Sequence, residues 1–256
     1  MEDTKKLALK YFADREWNKA INEFSKILEH DKDNIEISNL IGLSYYYLND
    51  FQNAEKYFLK VLNLNPKQPE SYINLSEIYY RQKMYASAIE LLLRGKAENP
   101  DNMILKHYLA RVYMADSRLD SALYELHEIL ENEPENYDAY YDLGRASFEL
   151  GNYASAIDCF ENILKYKEDN AWVYYYLGEA YEANDEVDKA LSNFLKATAV
   201  DKDLSIAYKK AAILFLARGE NEDAIEYFED YLNFNIPEEE KKQTENLIKR
   251  LKGENE

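Results

Sequence analysis

The sequence predicts an all-α fold in which helical hairpins stack into an α-α solenoid. Glycine and proline number only seven and five among 256 residues, too few to end the many short elements of a β-rich or α/β fold. Hydrophobic residues make up 46% of the chain, which is enough for a continuous core. The third observation is a repeat, because alanine recurs every 34 residues: Ala20, Ala54, Ala88, Ala122, Ala156, Ala190 and Ala224. A fixed period of this length is typical of repeat proteins.

Two further sets of residues keep the same interval and define seven units without insertion. One set is mostly aromatic: Tyr11, Tyr45, Tyr79, Tyr113, Ser147, Tyr181 and Phe215. The other set is phenylalanine or leucine: Phe24, Phe58, Leu92, Leu126, Phe160, Phe194 and Phe228. We therefore divide residues 1–238 into the units 1–34, 35–68, 69–102, 103–136, 137–170, 171–204 and 205–238.

Within each unit the apolar residues mark two helices. Positions 4, 7, 8 and 11 of a unit fall on one helical face, and positions 20, 24 and 27 do the same on a second helix. Glycine or polar residues separate the two helices, as at Gly151-Asn152, and Pro66 and Pro100 end units because proline cannot continue the preceding helix. Positions 8 and 20 hold small residues, so we expect the two helices to approach most closely there.

The last segment, residues 239–256, is predicted to be a capping helix followed by a tail. Glutamates open it at 238–240, and Lys249 and Arg250 lie near its end, which matches the helix dipole. Ile248 belongs to its one apolar stripe. A stack of hairpins needs such a helix to cover its last apolar face.

These residues resemble the tetratricopeptide repeat pattern, most clearly in the second unit. Ile41-Gly42, Tyr45, Ala54, Phe58 and Pro66 stand there at the positions of the family's conserved types. The resemblance covers nearly the whole chain and implies a right-handed superhelix whose stacked first helices line a concave groove for an extended peptide or a partner helix.

Two residues depart from the family pattern. Ser147 occupies the tyrosine position, and Gly95 lies in the middle of a second helix. Glycine costs about 1 kcal/mol of helix propensity relative to alanine, so Gly95 is a candidate for a local bend.

The charge of the chain limits the classes of molecule that it is expected to bind. A formal net charge of -18 opposes nonspecific binding to nucleic acid or anionic lipid, because phosphate contacts need lysine or arginine that nearby acids do not outnumber. No stretch is long and apolar enough for a signal peptide or a membrane span, and the single cysteine, Cys159, forms no intrachain disulfide. We expect a cytoplasmic protein in which Cys159 packs between helices.

The sequence offers no catalytic motif, so we expect no enzyme activity, cofactor or metal. Its three histidines, His30, His107 and His127, are not spaced as metal ligands, and no phosphate-binding glycine loop or nucleophile motif occurs. Acidic runs such as residues 238–240 are best interpreted as solvated charge.

One surface of the first helices is unexpectedly aromatic and basic. Positions 2, 5, 9, 12 and 13 point away from the core positions of each first helix, and water alone would favour polar residues there. The candidate partner-binding residues on this surface are Tyr46, Tyr80, Arg81, His107, Arg111, Tyr141, Arg145 and Tyr175. Tyrosine offers apolar area with a hydroxyl, and guanidinium groups suit carboxylates of a ligand. The alternative is that these side chains pack between units, the arginines pairing with Glu77, Glu149 or Glu179.

We interpret the chain as a scaffold or adaptor that binds a protein or peptide partner in the groove. The alternative is a self-assembling scaffold that forms homo-oligomers, as magnetosome-associated proteins of this resemblance do. The C-terminal carboxylate clamp of chaperone-binding relatives is not expected, because only Lys5 matches among the five corresponding positions: Lys5, Leu9, Leu40, Glu70 and Asn74. Trp172 is predicted to be a groove or interface aromatic.

Overall fold

The computed structural model describes residues 2–253, which form fifteen helices and no strand. The first helices of the hairpins are α1 (Glu2–Ala13), α3 (Ile35–Tyr47), α5 (Pro69–Arg81), α7 (Met103–Ala115), α9 (Tyr137–Glu149), α11 (Ala171–Ala183) and α13 (Ser205–Ala217). The second helices are α2 (Trp17–His30), α4 (Phe51–Leu64), α6 (Tyr85–Glu98), α8 (Leu119–Asn132), α10 (Tyr153–Leu164), α12 (Val187–Val200) and α14 (Asn221–Leu232). The predicted all-α solenoid of helical hairpins is confirmed.

Asparagine side chains set where four of the first helices begin. Asn34, Asn102, Asn136 and Asn170 each accept a hydrogen bond from the backbone N–H three residues later, for example from Ile37 at 2.9 Å. This bond satisfies an N–H group that has no partner within the helix. Helix α5 starts differently, with Pro69 in its first turn, where the missing N–H costs nothing.

The turn inside each hairpin places one residue in the left-handed region. The glycines Gly151 and Gly219 have φ of 79° and 76°. The same place in other hairpins holds residues with a Cβ and φ between 58° and 61°: Arg15, Asn49, Lys83, Ser117 and Asp185. A Cβ makes this conformation unfavourable by about 1–2 kcal/mol, so these five turns are strained relative to the glycine turns.

We expect Lys83→Gly to stabilise the protein. Removing the Cβ relieves the left-handed strain, and the greater freedom of glycine in the unfolded chain offsets part of this gain, leaving about 0.5 kcal/mol. The midpoint of urea unfolding should rise. Gln82→Gly is the matched control, because Gln82 has φ of -81° and gains nothing from losing its Cβ; an equal rise in both variants would contradict the strain argument.

The helices divide after Asn132 into two compact units. In the first unit, α1 to α8 pack each against the next in chain order, and the first helices α3, α5 and α7 also contact one another in turn. In the second unit, α9 to α14 pack in the same way, and α9 also contacts α11. Helices α3, α5 and α7 therefore lie side by side in the first unit, and α9 and α11 lie side by side in the second.

Small residues sit where helices of one hairpin come closest, as predicted. A Cβ added to Gly42 would lie 2.8 Å from the ring of Phe58, and one added to Gly178 would lie 2.7 Å from the ring of Phe194. The repeated alanines, such as Ala20 and Ala156, are completely buried. The 34-residue pattern thus records packing between helices.

Gly95 has a packing explanation. Helix α6 runs without interruption through Gly95, and a Cβ there would lie 2.8 Å from Cγ and 3.0 Å from Cβ of Tyr72. Tyr72 is completely buried. The close passage of this tyrosine accounts for the glycine.

The last helix, α15 (Glu238–Leu251), has Glu238, Glu239 and Glu240 in its first turn and packs on α14. Ile248 is buried against the core of the second unit. The Tyr231 hydroxyl donates a hydrogen bond to Glu240 over 2.9 Å, and Lys252 pairs with Glu229 at 2.6 Å. The last three residues of the predicted tail, 254–256, lie outside the described residues.

Candidate functional site

The predicted partner-binding residues of the first unit gather on α3, α5 and α7. We call Tyr46, Tyr80, Arg81, Tyr108 and Arg111 the α5–α7 patch. The Arg81 guanidinium lies 4.9 Å from the ring centre of Tyr46, and that of Arg111 lies 6.0 Å from the ring centre of Tyr108. Tyr80, Tyr108 and Arg111 line one shallow hollow with Ser76, Glu77 and Val112. Stacked cations and rings at these distances attract each other.

The two arginines of this patch differ in their pairing. Arg81 donates to Glu77 over 3.0 Å, and this pair lies within α5 rather than between neighbouring units. Arg111 is exposed and has no ion pair within residues 2–253. Its guanidinium therefore presents N–H donors to solvent beside two tyrosine rings.

Partial burial affects the tyrosines of the patch. Tyr46 is half-buried, and its burial raises the pKa of its hydroxyl, with the nearby Glu77 carboxylate adding to the effect. Tyr80 is 36% exposed and its ring lies 5.7 Å from that of Tyr85. His107 is half-buried on α7 and has contacts of its own, so it is not an open part of the surface.

A second aromatic cluster lies on α9 and α11 in the second unit. We call Tyr141, Arg145, Trp172 and Tyr176 the α9–α11 patch. The Tyr176 ring lies 5.6 Å from Tyr141, 6.1 Å from Trp172 and 5.7 Å from the Arg145 guanidinium. Trp172 is 46% exposed, which makes it the most accessible ring of the cluster. Arg145 lies 4.0 Å from Glu149, at the limit of an ion pair.

Tyr175 lies beneath this patch. It is only 7% exposed because Trp172, Tyr176 and Phe194 surround its ring at 5.4 to 5.8 Å. Burial, reinforced by the Glu179 carboxylate, raises the pKa of its hydroxyl strongly. Tyr175 therefore supports the accessible rings above it and offers little surface to a partner. Tyr141 is half-buried, and burial likewise raises the pKa of its hydroxyl.

Sequence reasoning missed Tyr108 and Tyr176, which both stand at position 6 of their units. That position reads Lys6, Leu40, Asn74, Tyr108, Asp142, Tyr176 and Lys210. Because this set alternates between charged, apolar and aromatic residues, it gives no repeating signal. The signal that could have found them is helical spacing. Position 6 is three residues before position 9, where Arg111 and Arg145 stand, so the two positions are neighbours on the helix surface.

Within residues 2–253, the cysteine and the possible metal-ligand side chains give no sign of a reactive or metal-binding site. Cys159 is buried between helices as predicted, and burial raises the pKa of its thiol to about 12, which suppresses the reactive thiolate. Among the described residues, no three histidine, cysteine or carboxylate side chains are grouped as metal ligands. Within residues 2–253, every helix is too short or too polar to cross a bilayer.

Family models place the sequence among known repeats. Two models described as tetratricopeptide repeat match residues 39–102, 113–165 and 148–213, which together make up more than half of the chain. No curated protein matches the sequence significantly.

Solved structures share the fold. A tetratricopeptide repeat protein from Parabacteroides merdae superposes with a TM-score of 0.70 at 15% identity, covering 98% of both chains. The C-terminal part of a repeat protein from Cytophaga hutchinsonii gives a TM-score of 0.75 at 16% identity, covering 93% of this chain and 98% of that one. YrrB, described as a tetratricopeptide repeat protein with an unusual peptide-binding site, gives 0.61 at 21% identity, covering 72% and 95%.

Proposed function

Because the chain belongs to the tetratricopeptide repeat family, we propose that it is a non-enzymatic cytoplasmic scaffold that binds an extended peptide or a partner helix on its first-helix surface. The fold supports a general role in protein interaction. The likeness to YrrB, a protein with a peptide-binding site, adds support for a peptide as the ligand.

The main support for this proposal is the exposure of Arg111 and its lack of an ion pair within residues 2–253. In a chain with 49 acidic and 31 basic residues, this arginine is exposed without an ion pair among the described residues. It lies beside Tyr80 and Tyr108, whose rings line the same hollow. A guanidinium next to aromatic rings binds a carboxylate and an apolar group together, so the patch suits a peptide that carries both.

The α9–α11 patch supports the same chemistry in the second unit. Trp172 and Tyr176 offer large rigid rings that lose little rotamer freedom on binding, and Arg145 lies over Tyr176. Its weak pairing with Glu149 leaves the guanidinium available to a stronger carboxylate partner.

A pull-down from lysate with variants of each patch tests the proposal. We expect Tyr80→Ala/Arg111→Glu or Trp172→Ala/Arg145→Glu to lose a protein that the wild-type chain captures. Titration of the purified partner should then show a loss of about 2 kcal/mol, or about thirtyfold in Kd, as for central interface residues. The matched control is Tyr124→Ala/Arg250→Glu, which makes the same kinds of change at exposed residues of α8 and α15.

Each other outcome contradicts the proposal. If all variants, with unchanged helicity, retain the same partners, the first-helix patches are not the binding surface. If no partner is captured and the mass from light scattering rises with concentration, self-assembly is the better interpretation.

A further inference from the structure

A cleft on the opposite side of α11 from the aromatic patch is lined by lysines. It lies between the second helices α10 and α12 and has a volume of about 460 Å³, which is in the range of ligand pockets. Its walls include Lys165, Lys189 and Lys196. Tyr174, Leu177 and Tyr181 of α11 form part of the lining, so the cleft combines apolar surface with ammonium groups.

Two of these lysines have no acidic partner. Lys165 donates a hydrogen bond to the side-chain oxygen of Asn162 over 2.8 Å, and the ammonium group of Lys196 lies 5.6 Å from the ring centre of Tyr174. Neither forms an ion pair within residues 2–253. Lys189 pairs with Glu186 at 2.5 Å, but this is an exposed pair of the kind that contributes little and exchanges readily.

The acidic residues around the cleft leave two of its lysines unpaired. Glu161 accepts a hydrogen bond from the Tyr181 hydroxyl, and this bond holds the carboxylate against the wall of the cleft. Glu168 remains exposed at the edge. With Glu186 included, three carboxylates stand against the three lysines, so the attraction for a carboxylate rests on Lys165 and Lys196, whose ammonium groups form no ion pair among the described residues. Low-dielectric walls strengthen the attraction of such a cleft for negative charge.

The spacing of the lysines selects among anions. Lys189 and Lys196 are seven residues apart on α12, so they lie on one face about 10 Å apart along the helix axis. An extended peptide in the polyproline II conformation advances about 9 Å over three residues, which is one full turn, so its side chains i and i+3 lie on the same face. Carboxylates at positions i and i+3 of such a peptide therefore match the two ammonium groups, and an apolar side chain between them is available for contact with the tyrosine and leucine lining at the side of the cleft.

We propose that this cleft binds an extended acidic peptide with two carboxylates three residues apart and an apolar residue between them. The site is separate from the first-helix patches, so the chain holds two partners, or two segments of one partner, on different faces. A free anion or a lipid headgroup uses the lysines but not the apolar lining, and it has no second carboxylate at the matching distance.

The test measures fluorescence anisotropy of a fluorescein-labelled peptide, Gly-Glu-Leu-Ala-Glu-Gly, with the full chain at low salt. We expect saturable binding that weakens as ionic strength rises. Lys165→Gln/Lys196→Gln should weaken binding about tenfold. The control Lys202→Gln/Lys242→Gln, which removes the same charge at exposed lysines outside the cleft, should change binding less than about twofold. A peptide with adjacent glutamates, Gly-Leu-Glu-Glu-Ala-Gly, should bind more weakly than the spaced one.

The other outcomes overturn the proposal. Equal weakening in both lysine pairs indicates general electrostatic attraction. Loss of binding in Trp172→Ala/Arg145→Glu alone places the peptide on the α9–α11 patch. Displacement by inorganic phosphate at the peptide's own concentration indicates an anion site without peptide specificity. Absence of binding at about 1 mM peptide, the weakest affinity of interest, excludes the site.

Discussion

Gly95→Val is expected to lower the free energy of unfolding by about 3 kcal/mol, although valine forms helix better than glycine. The new Cβ would lie 2.8 Å from Cγ of Tyr72 and 3.0 Å from its Cβ. These atoms are close to the backbone of α5, so they cannot move aside as the end of a flexible side chain could. Tyr72 is also completely buried and has no space to occupy. Denaturant unfolding followed by circular dichroism measures the effect.

The second hairpin suggests a second substitution that should restore part of the lost stability. At the equivalent positions of the second hairpin, Ser38 stands where Tyr72 does and Val61 stands where Gly95 does, and both are buried. Tyr72→Ser/Gly95→Val should therefore be more stable than the sum of the two single changes predicts, by at least about 1 kcal/mol. Leu93→Val, at an exposed leucine of the same helix, is the control. Strict additivity would contradict the size complementarity.

Glu128→Ala is expected to lower the free energy of unfolding by about 3 kcal/mol, because it leaves a buried ammonium group without its carboxylate. Lys106 is only 3% exposed, and its Nζ lies 2.5 Å from a carboxylate oxygen of Glu128. Lys96 pairs with the other carboxylate oxygen of Glu128 at 3.2 Å but also with Glu125 at 2.8 Å, so it keeps a partner in the variant.

A double variant separates the charge effect from lost packing. Lys106→Met/Glu128→Ala removes both charges and fills the space of the lysine stem, so it should recover most of the loss. Glu131→Ala is the matched control on α8, because Glu131 is exposed and has no side-chain partner among the described residues; its effect should stay below about 0.5 kcal/mol. A double variant no more stable than Glu128→Ala would contradict the argument.

The same pair predicts a dependence on pH. The hydrogen bond from Lys106, supported by Lys96, lowers the pKa of Glu128 below its usual value. A carboxyl group whose pKa is lower in the folded state contributes stability above its unfolded pKa, about 4.3, and loses it as the pH falls through the folded pKa. The stability difference between wild type and Glu128→Ala should therefore be full at pH 7 and shrink below about pH 4.

The fold could be predicted from the sequence because packing between helices recurs at every hairpin. Gly42 and Gly178 each face a phenylalanine of the same hairpin, and this geometry appears in the sequence as small and large residues at fixed positions. The contact between Gly95 and Tyr72 occurs in one hairpin only. It depends on Gly95, which departs from the pattern at its position, so the period alone gives no sign that this residue touches Tyr72.

The candidate site was predictable only in part. Helical direction identified the exposed faces, and Tyr46, Arg81, Arg111 and Arg145 do lie against aromatic rings there. The direction in which a helical position points did not reveal that Tyr175 lies beneath other rings. Its burial depends on the size of Trp172, one turn away on α11, and of Phe194 on α12. The lysine cleft joins three helices and has no counterpart in a pattern along one helix.

The asparagine caps change where the chain should be cut to make shorter pieces. Asn136 is the last residue of its sequence unit, yet its side chain holds the first turn of the helix that belongs to the following unit. A fragment that starts at Tyr137 would discard this acceptor and expose a fraying end, at a cost of about 1 kcal/mol. A fragment that starts at Asn136 keeps it, so the physical module of this protein begins one residue before the sequence module.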